Sequence, residues 1–196
     1  MAIVVIIQRI SIFFWLLPPI RQYKERFFIY FLILALSDPL NLVALHILHI
    51  SNYYIHPIAG VLLIYSIDFS LNNIKRYWYF HILFIAAFIA GLFLIPNRIQ
   101  LMLFLHFIIL IKFMKIAFIS LHKFNTINIF LFVLVFYELL AVINFLVFLN
   151  DFDIKVIFYY STIFFESIIA IFFTIFKENN PRLNISLKTT PQSSAH

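Results

Sequence analysis

The chain has 196 residues, of which 64% are hydrophobic and only 11% are charged. A soluble domain carries about 25% charged residues, and one core cannot hide this much apolar surface, so the composition excludes a water-soluble protein. The apolar runs are also continuous and lack the in-and-out alternation of barrel strands. We therefore predict an all-α, polytopic membrane protein.

Seven apolar stretches follow one another along the chain, and each approaches the roughly 20 residues that a helix needs to cross a bilayer. They cover roughly residues 2–19, 27–48, 54–71, 77–95, 98–121, 127–149 and 155–176. The segments between them are too short to hold a folded domain. We expect one seven-helix transmembrane domain over residues 1–176, followed by a polar tail, 177–196, whose Pro, Ser, Thr and Asn content favours disorder.

Lys and Arg are unevenly distributed between alternate loops. One side of the membrane receives Arg21, Lys24, Arg26, Lys75, Arg76, Lys123, Lys177, Arg182 and Lys188. The other side receives only Arg98 and Lys155. Because basic loops stay in the cytoplasm, this bias predicts an outer N-terminus and an inner C-terminus in a bacterial inner (cytoplasmic) membrane.

The expected partners follow from the same charge pattern. The net charge of +6 is explained by the basic inner loops and by lipid headgroups, so it does not indicate nucleic-acid binding. The expected partners are the lipid bilayer and another membrane protein. The chain contains no Cys, which excludes disulfides, thiol catalysis and metal sites built from cysteine.

Ionisable side chains inside the spans are the most informative residues, because each costs about 2.5 to 3.5 kcal/mol on insertion scales and should face a partner or a cavity. They are Arg9, Asp38, Asp68, His106, Lys112, Lys115, Glu138 and Glu166. Two interpretations stay open. The cations and acids could pair within the bundle, with Lys112 or Lys115 approaching a carboxylate, or the acids could line a hydrated cavity.

Helical spacing places several of these groups together. Lys155, Tyr159, Thr162 and Glu166 recur at i, i+4, i+7 and i+11, which is one stripe of a helix. On the second span Asp38 and Asn41 share a face, and a kink is expected at Pro39. The candidate cavity for a ligand or ion comprises Asp38, Asn41, Lys112, Glu138, Tyr159, Thr162 and Glu166.

Three histidines, His46, His49 and His56, occur where the second and third spans meet. A histidine pair at i, i+3 with a third histidine across a short loop can hold zinc with an open fourth position. We expect no cofactor, and zinc is the one alternative considered. With Ser37 and Asp38, such a site would make a membrane-embedded metal-dependent hydrolase.

Known seven-helix families can be tested against individual residues. A microbial rhodopsin needs a lysine in the middle of the last span, where this chain has none, and ceramidase-like hydrolases need histidines there, which are also absent. In layout, the chain resembles small seven-helix inner-membrane proteins of the Bacteroidota: it has a basic first inner loop, an outer turn HISNYY and a last span ending in KENNPRL. This resemblance implies no particular activity.

The expected function is a non-enzymatic membrane module, receptor-like or scaffolding, with a polar cluster near the middle of the bilayer. One alternative is a small-solute or proton-coupled transporter in which Asp38, Glu138 and Glu166 titrate. The other is the metal-dependent hydrolase.

Overall fold

The computed structural model describes residues 2–47, 49, 52–67, 75–95, 97–150 and 155–187, with the backbone alone for 2–8, 52, 53, 155 and 156. The described helices are α1 (Ala2–Trp15), α2 (Leu17–Arg21), α3 (Phe28–His46), α4 (Asn52–Ile67), α5 (Trp78–Leu94), α6 (Arg98–Phe124), α7 (Ile129–Leu149) and α8 (Lys155–Ile175). Two short strands, β1 (Thr126–Asn128) and β2 (Asn184–Ser186), and a 3-10 turn at Pro181–Leu183 accompany them. The predicted all-helical class is confirmed.

Four helical segments in the described part are long and apolar enough to cross a membrane: Phe28–His46, Arg98–Phe124, Ile129–Leu149 and Ile157–Ile175. Two further apolar helices are shorter, Tyr54–Ile67 and Trp78–Leu94. Large apolar side chains cover the outer surface, where Phe93 and Leu94 are each 79% exposed. Since soluble proteins rarely expose apolar patches of this extent, the structure indicates a membrane protein. Seven crossings and their orientation stay predictions.

Asparagine side chains set the ends of the helical hairpin formed by α6 and α7. The Asn97 side chain accepts a hydrogen bond from the backbone N–H of Ile99 (3.0 Å) and begins α6. Asn128 accepts from Leu131 (3.2 Å) and begins α7. Between them Asn125 has a φ of 48° and ends α6 in the left-handed conformation that asparagine tolerates. The chain reverses direction between these caps, and the two long helices pack against each other.

An aromatic cluster closes one end of the bundle. We call it the aromatic seal, and it consists of Phe27, Phe31, Phe113, Phe130 and Phe173, none of which has any exposed surface. The ring centroids of Phe31 and Phe173 are 4.8 Å apart. Such pairs contribute about 0.5 to 1.5 kcal/mol each beyond their buried area. The seal lies where α3 and α7 begin and α8 ends, and it contains no polar atom that a solute could contact.

The segment after α8 corrects the expectation of a disordered tail as far as residue 187. Leu183 is 5% exposed and joins the core, and β2 pairs antiparallel with β1, Ile127 lying opposite Ile185. The backbone N–H of Leu187 donates to the Asn125 carbonyl (2.8 Å). Composition alone favoured disorder. The stretch is ordered because Leu183 packs into the core and because the backbone groups of the α6–α7 connection form hydrogen bonds with it. Residues 188–196 lie outside the described residues.

A polar network joins the first loop to the end of α8. The fully buried Gln22 donates from Nε2 to the carbonyls of Phe173 (2.8 Å) and Phe176 (2.7 Å), groups that the helix end leaves without partners. Lys177 Nζ lies 3.3 Å from Glu25 Oε1. Next to this pair, burial raises the pKa of Glu178 to about 7, an effect that nearby Glu25 increases and Arg26 opposes. The network therefore holds a carboxyl group that keeps its proton up to a near-neutral pH.

The raised pKa of Glu178 predicts a pH-dependent stability. The folded protein holds this proton up to a pH of about 7, whereas the unfolded chain releases it near 4.5. The stabilisation is therefore fully present below the lower value and is lost as the pH rises through the upper one. Thermal unfolding in detergent between about pH 5 and about pH 8 should show a smaller decline for Glu178→Gln than for the wild type. The exposed Ser186→Ala variant is the control, and equal declines in all three proteins would contradict the assignment.

Candidate functional site

Two adjoining polar cavities lie between α1, α3, α4, α6, α7 and α8. The deep pocket has a volume of 190 Å³, and the wide chamber has a volume of 590 Å³. Both are lined by Ser11, Asp38, His56, Asn144 and Glu166. We refer to the two together as the polar cavity. Its combined size falls within the range typical of small-molecule sites.

The wide chamber reaches the surface at one end of the bundle. Its lining includes Arg9 of α1 and His46, the last residue of α3, and both side chains are exposed. Tyr159, from the first turns of α8, lines the same chamber. The aromatic seal occupies the opposite ends of α3 and α8. The polar cavity is therefore open where α3 ends and closed where α3 begins.

Five of the seven residues predicted for a cavity line the wide chamber. They are Asp38, Asn41, Tyr159, Thr162 and Glu166. The helical stripe through α8 explains three of them, because i, i+3 and i+7 positions share one face. The side chain of Lys155, which belongs to the same stripe, lies outside the described residues, as does Asp68.

Four side chains at this cavity have hydrogen-bond acceptors without a partner. Asn41 is 8% exposed, and its Nδ2 lies 3.0 Å from His56 Nε2, whereas its Oδ1 has no partner. The buried Oδ1 of Asn144 also has none. Within the described part of the chain, the carboxyl groups of Asp38 and Glu166 make no hydrogen bond or ion pair either. Buried polar groups are normally satisfied, so these four groups lack a hydrogen-bond partner that a solute or water could supply.

Glu138 differs from these acceptors because it is fully buried and satisfied by the protein. It accepts hydrogen bonds from the Tyr30 hydroxyl and from Nδ1 of His106 at 2.8 Å. His106 in turn lines the deep pocket. Glu138 was predicted as a cavity residue, but it lies behind the cavity wall and holds His106 in place there.

Sequence reasoning did not identify Tyr30 or His106 as partners of this carboxylate. His106 was noted as an ionisable residue inside a span, but its position in α6 carries no information about α7. Tyr30 lies within an apolar run of α3 and gives no signal of its own. Only the packing of three helices brings the groups together.

Lys112 was also predicted at the cavity, but it is not among the residues that line either space. Its Nζ donates to the backbone carbonyl of Ile64 in α4 (2.9 Å). The partners of the buried Glu138 carboxylate are a tyrosine and a histidine rather than a lysine. Lys112 therefore does not line the cavity, although the sequence predicted that it would.

The three histidines proposed for zinc do not come together. No group of three His, Cys, Asp or Glu side chains converges to hold a metal ion anywhere in the described ranges. The reason is local: α3 ends at His46, so the assumed i, i+3 spacing is lost, and His49 is exposed with a φ of 53°. His46 and His56 line the wide chamber. Ser37 donates its hydroxyl proton to the Leu34 carbonyl (2.8 Å), which leaves the hydrolase alternative without an activated nucleophile at this residue.

Comparison with known proteins adds no identity to this geometry. No family model, curated protein or solved structure matches the chain. The chemistry of the polar cavity is therefore the basis for assigning a function.

The buried arrangement around Glu138 predicts a graded loss of stability. Glu138→Leu leaves the Tyr30 hydroxyl and His106 Nδ1 unsatisfied, at a cost of about 1 to 3 kcal/mol for each group. Tyr30→Phe removes one donor but leaves the carboxylate paired with His106, so it should cost about 1 kcal/mol. Thermal unfolding in detergent measures both changes, with the exposed Leu139→Ala in the same helix as the control. A Glu138→Leu variant as stable as the control would contradict this role.

Proposed function

We propose that this protein is a multi-pass protein of the bacterial inner membrane that binds a small polar ligand in the polar cavity, as a non-enzymatic, receptor-like module. The observation that carries the proposal is the set of unsatisfied acceptors in a cavity inside an apolar helical bundle. Placing polar groups within a membrane is costly, and a structural role would favour pairing, as at Glu138. Asp38, Asn41, Asn144 and Glu166 line the chamber instead, and the Oδ1 atoms of the two asparagines have no partner.

The direction of ligand entry follows from combining the cavity with the charge bias of the loops. The nine-to-two distribution of Lys and Arg places the N-terminus outside, so α3 runs outward and ends at His46 on the outer side. The wide chamber would then face the exterior of the cytoplasmic membrane. The aromatic seal would separate the ligand from the cytoplasm.

A receptor-like role fits the closed inner end. The first loop, the end of α8 and the 177–187 segment form a network directly beneath the seal, joined by Gln22, Glu25 and Lys177. A ligand that draws α3 and α8 together could alter this network on the cytoplasmic side. Such coupling requires only a ligand with different affinities for two arrangements of the bundle.

A proton-coupled carrier is the second candidate, and one observation favours it. From the deep pocket, His106, Glu138 and Tyr30 form a continuous chain of hydrogen-bonding groups that extends away from the cavity into the core. Chains of this kind are used to move protons in pumps and transporters. A carrier would in addition require the aromatic seal to open toward the cytoplasm.

Thiol labelling can test the cavity and its orientation, because the chain contains no Cys and each introduced cysteine is the sole target. Three variants on α8 form a matched set: Thr162→Cys in the chamber, Ala170→Cys in the core, and Ile168→Cys on the exposed apolar face. With a membrane-impermeant maleimide on intact cells, only Thr162→Cys should react. All three should react once the protein is denatured in detergent.

Each other outcome has a definite meaning. A Thr162→Cys protein that reacts only after denaturation would overturn the proposed cavity. Reaction only in inside-out vesicles would overturn the outward-facing orientation and the receptor role that depends on it. Reaction of Ala170→Cys from the cytoplasmic side would show that the seal opens, which favours the carrier over the receptor.

A further inference from the structure

We propose that the polar cavity binds a small organic monocation, an ammonium with a short apolar body, between Asp38 and Glu166. This inference depends on the proposed function, since it names the chemical class of the cavity's ligand. The charge balance of the lining is the first argument. Two carboxyl groups and one guanidinium, that of Arg9, line the wide chamber. When both carboxyl groups are ionised, the form that a bound cation stabilises, and the histidines are neutral, the site has one excess negative charge. A single positive charge neutralises it, and that attraction is stronger in a low-dielectric site than in water.

The hydrogen-bonding groups give the second argument. Asn41 is 8% exposed, and because its amide nitrogen is engaged by His56, its unpartnered Oδ1 remains as an acceptor. Asn144 supplies another free oxygen. Thr162 already donates its hydroxyl proton to the Phe158 carbonyl (2.9 Å) and can only accept from a ligand. This surplus of acceptors suits the N–H donors of an ammonium, whereas an anion would leave the acceptors unsatisfied and meet like charge.

The deep pocket gives the third argument, which concerns the rest of the ligand. Trp15 and Tyr137 line it with ring centroids 4.9 Å apart, and each is 7% exposed. Aromatic faces attract cations and pack against apolar groups. Leu63 and Met102 complete an apolar wall. A volume of 190 Å³ accommodates a short hydrocarbon or a single ring. The absence of a metal-binding group of three side chains in the described ranges favours an organic cation over a coordinated metal ion.

The cation preference is measured with two reagents of similar size. Thr162→Cys is treated with the ethyltrimethylammonium and the ethylsulfonate methanethiosulfonates, and each rate is divided by that reagent's rate with a free thiol in solution. A cavity with excess negative charge should react with the cationic reagent about tenfold faster or more. Adding Asp38→Asn or Glu166→Gln to Thr162→Cys should bring the ratio toward one. Glu178→Gln, which removes a carboxyl group outside the cavity, should leave the ratio unchanged.

The results distinguish the ligand class from the cavity itself. Reaction with neither reagent overturns the proposed function. Reaction with both at equal normalised rates, or faster with the sulfonate, overturns only the cation assignment. This comparison uses Thr162→Cys alone and therefore stands even if a carboxylate variant fails to fold.

A competition experiment tests the organic part of the proposal. Benzylammonium should slow the modification of Thr162→Cys and raise the unfolding temperature of the wild type, whereas benzoate at the same concentration should do neither. Ammonium ion without the ring should protect less than benzylammonium. Protection by benzoate, or equal protection by ammonium and benzylammonium, would contradict the assignment of an ammonium with an apolar body.

Discussion

The cost of polar groups inside an apolar helical bundle is the constraint on which the rest of this structure depends. The chain accommodates its buried carboxyl groups in two different ways. Glu138 is enclosed and satisfied by Tyr30 and His106, so its burial requires nothing from outside the protein. Asp38 and Glu166 line a cavity instead, where their oxygens remain available. The contrast separates a group with a structural role from groups that suit a ligand.

The aromatic seal gives the cavity a direction. Five phenylalanines from α6, α7, α8 and the start of α3 have no exposed surface, and they fill the end of the bundle that the polar cavity does not reach. A polar space sealed at one end and open at the other can bind a solute from one side only. Receptor and carrier share this arrangement and differ in whether the seal ever opens.

The network beneath the seal connects the two ends of the sequence. Gln22 donates to the carbonyls at the end of α8, Glu25 pairs with Lys177, and the segment beyond α8 returns to pair with β1. Polar side chains here satisfy the backbone groups that helix ends leave open. The sealed end of the bundle is therefore tied by directional hydrogen bonds.

Composition and periodicity determined the helical class and the positions of the apolar helices, because the length of an apolar run and the i, i+4 stripe are local properties of the chain. The stripe also placed Tyr159, Thr162 and Glu166 on one face.

The spacing of His46 and His49 gave a wrong prediction. Two residues at i and i+3 share a face only when both belong to a helix, and α3 ends at His46. Disorder of residues 177–187 was likewise wrong, because strand pairing with β1 depends on a partner about sixty residues earlier in the sequence. Tertiary structure alone decided that Glu138 meets Tyr30 and His106, that Lys112 donates to the Ile64 carbonyl, and that Asn41 and Asn144 lie at one cavity. These contacts join side chains from different helices, and the rotation of each helix about its axis is set by packing in three dimensions.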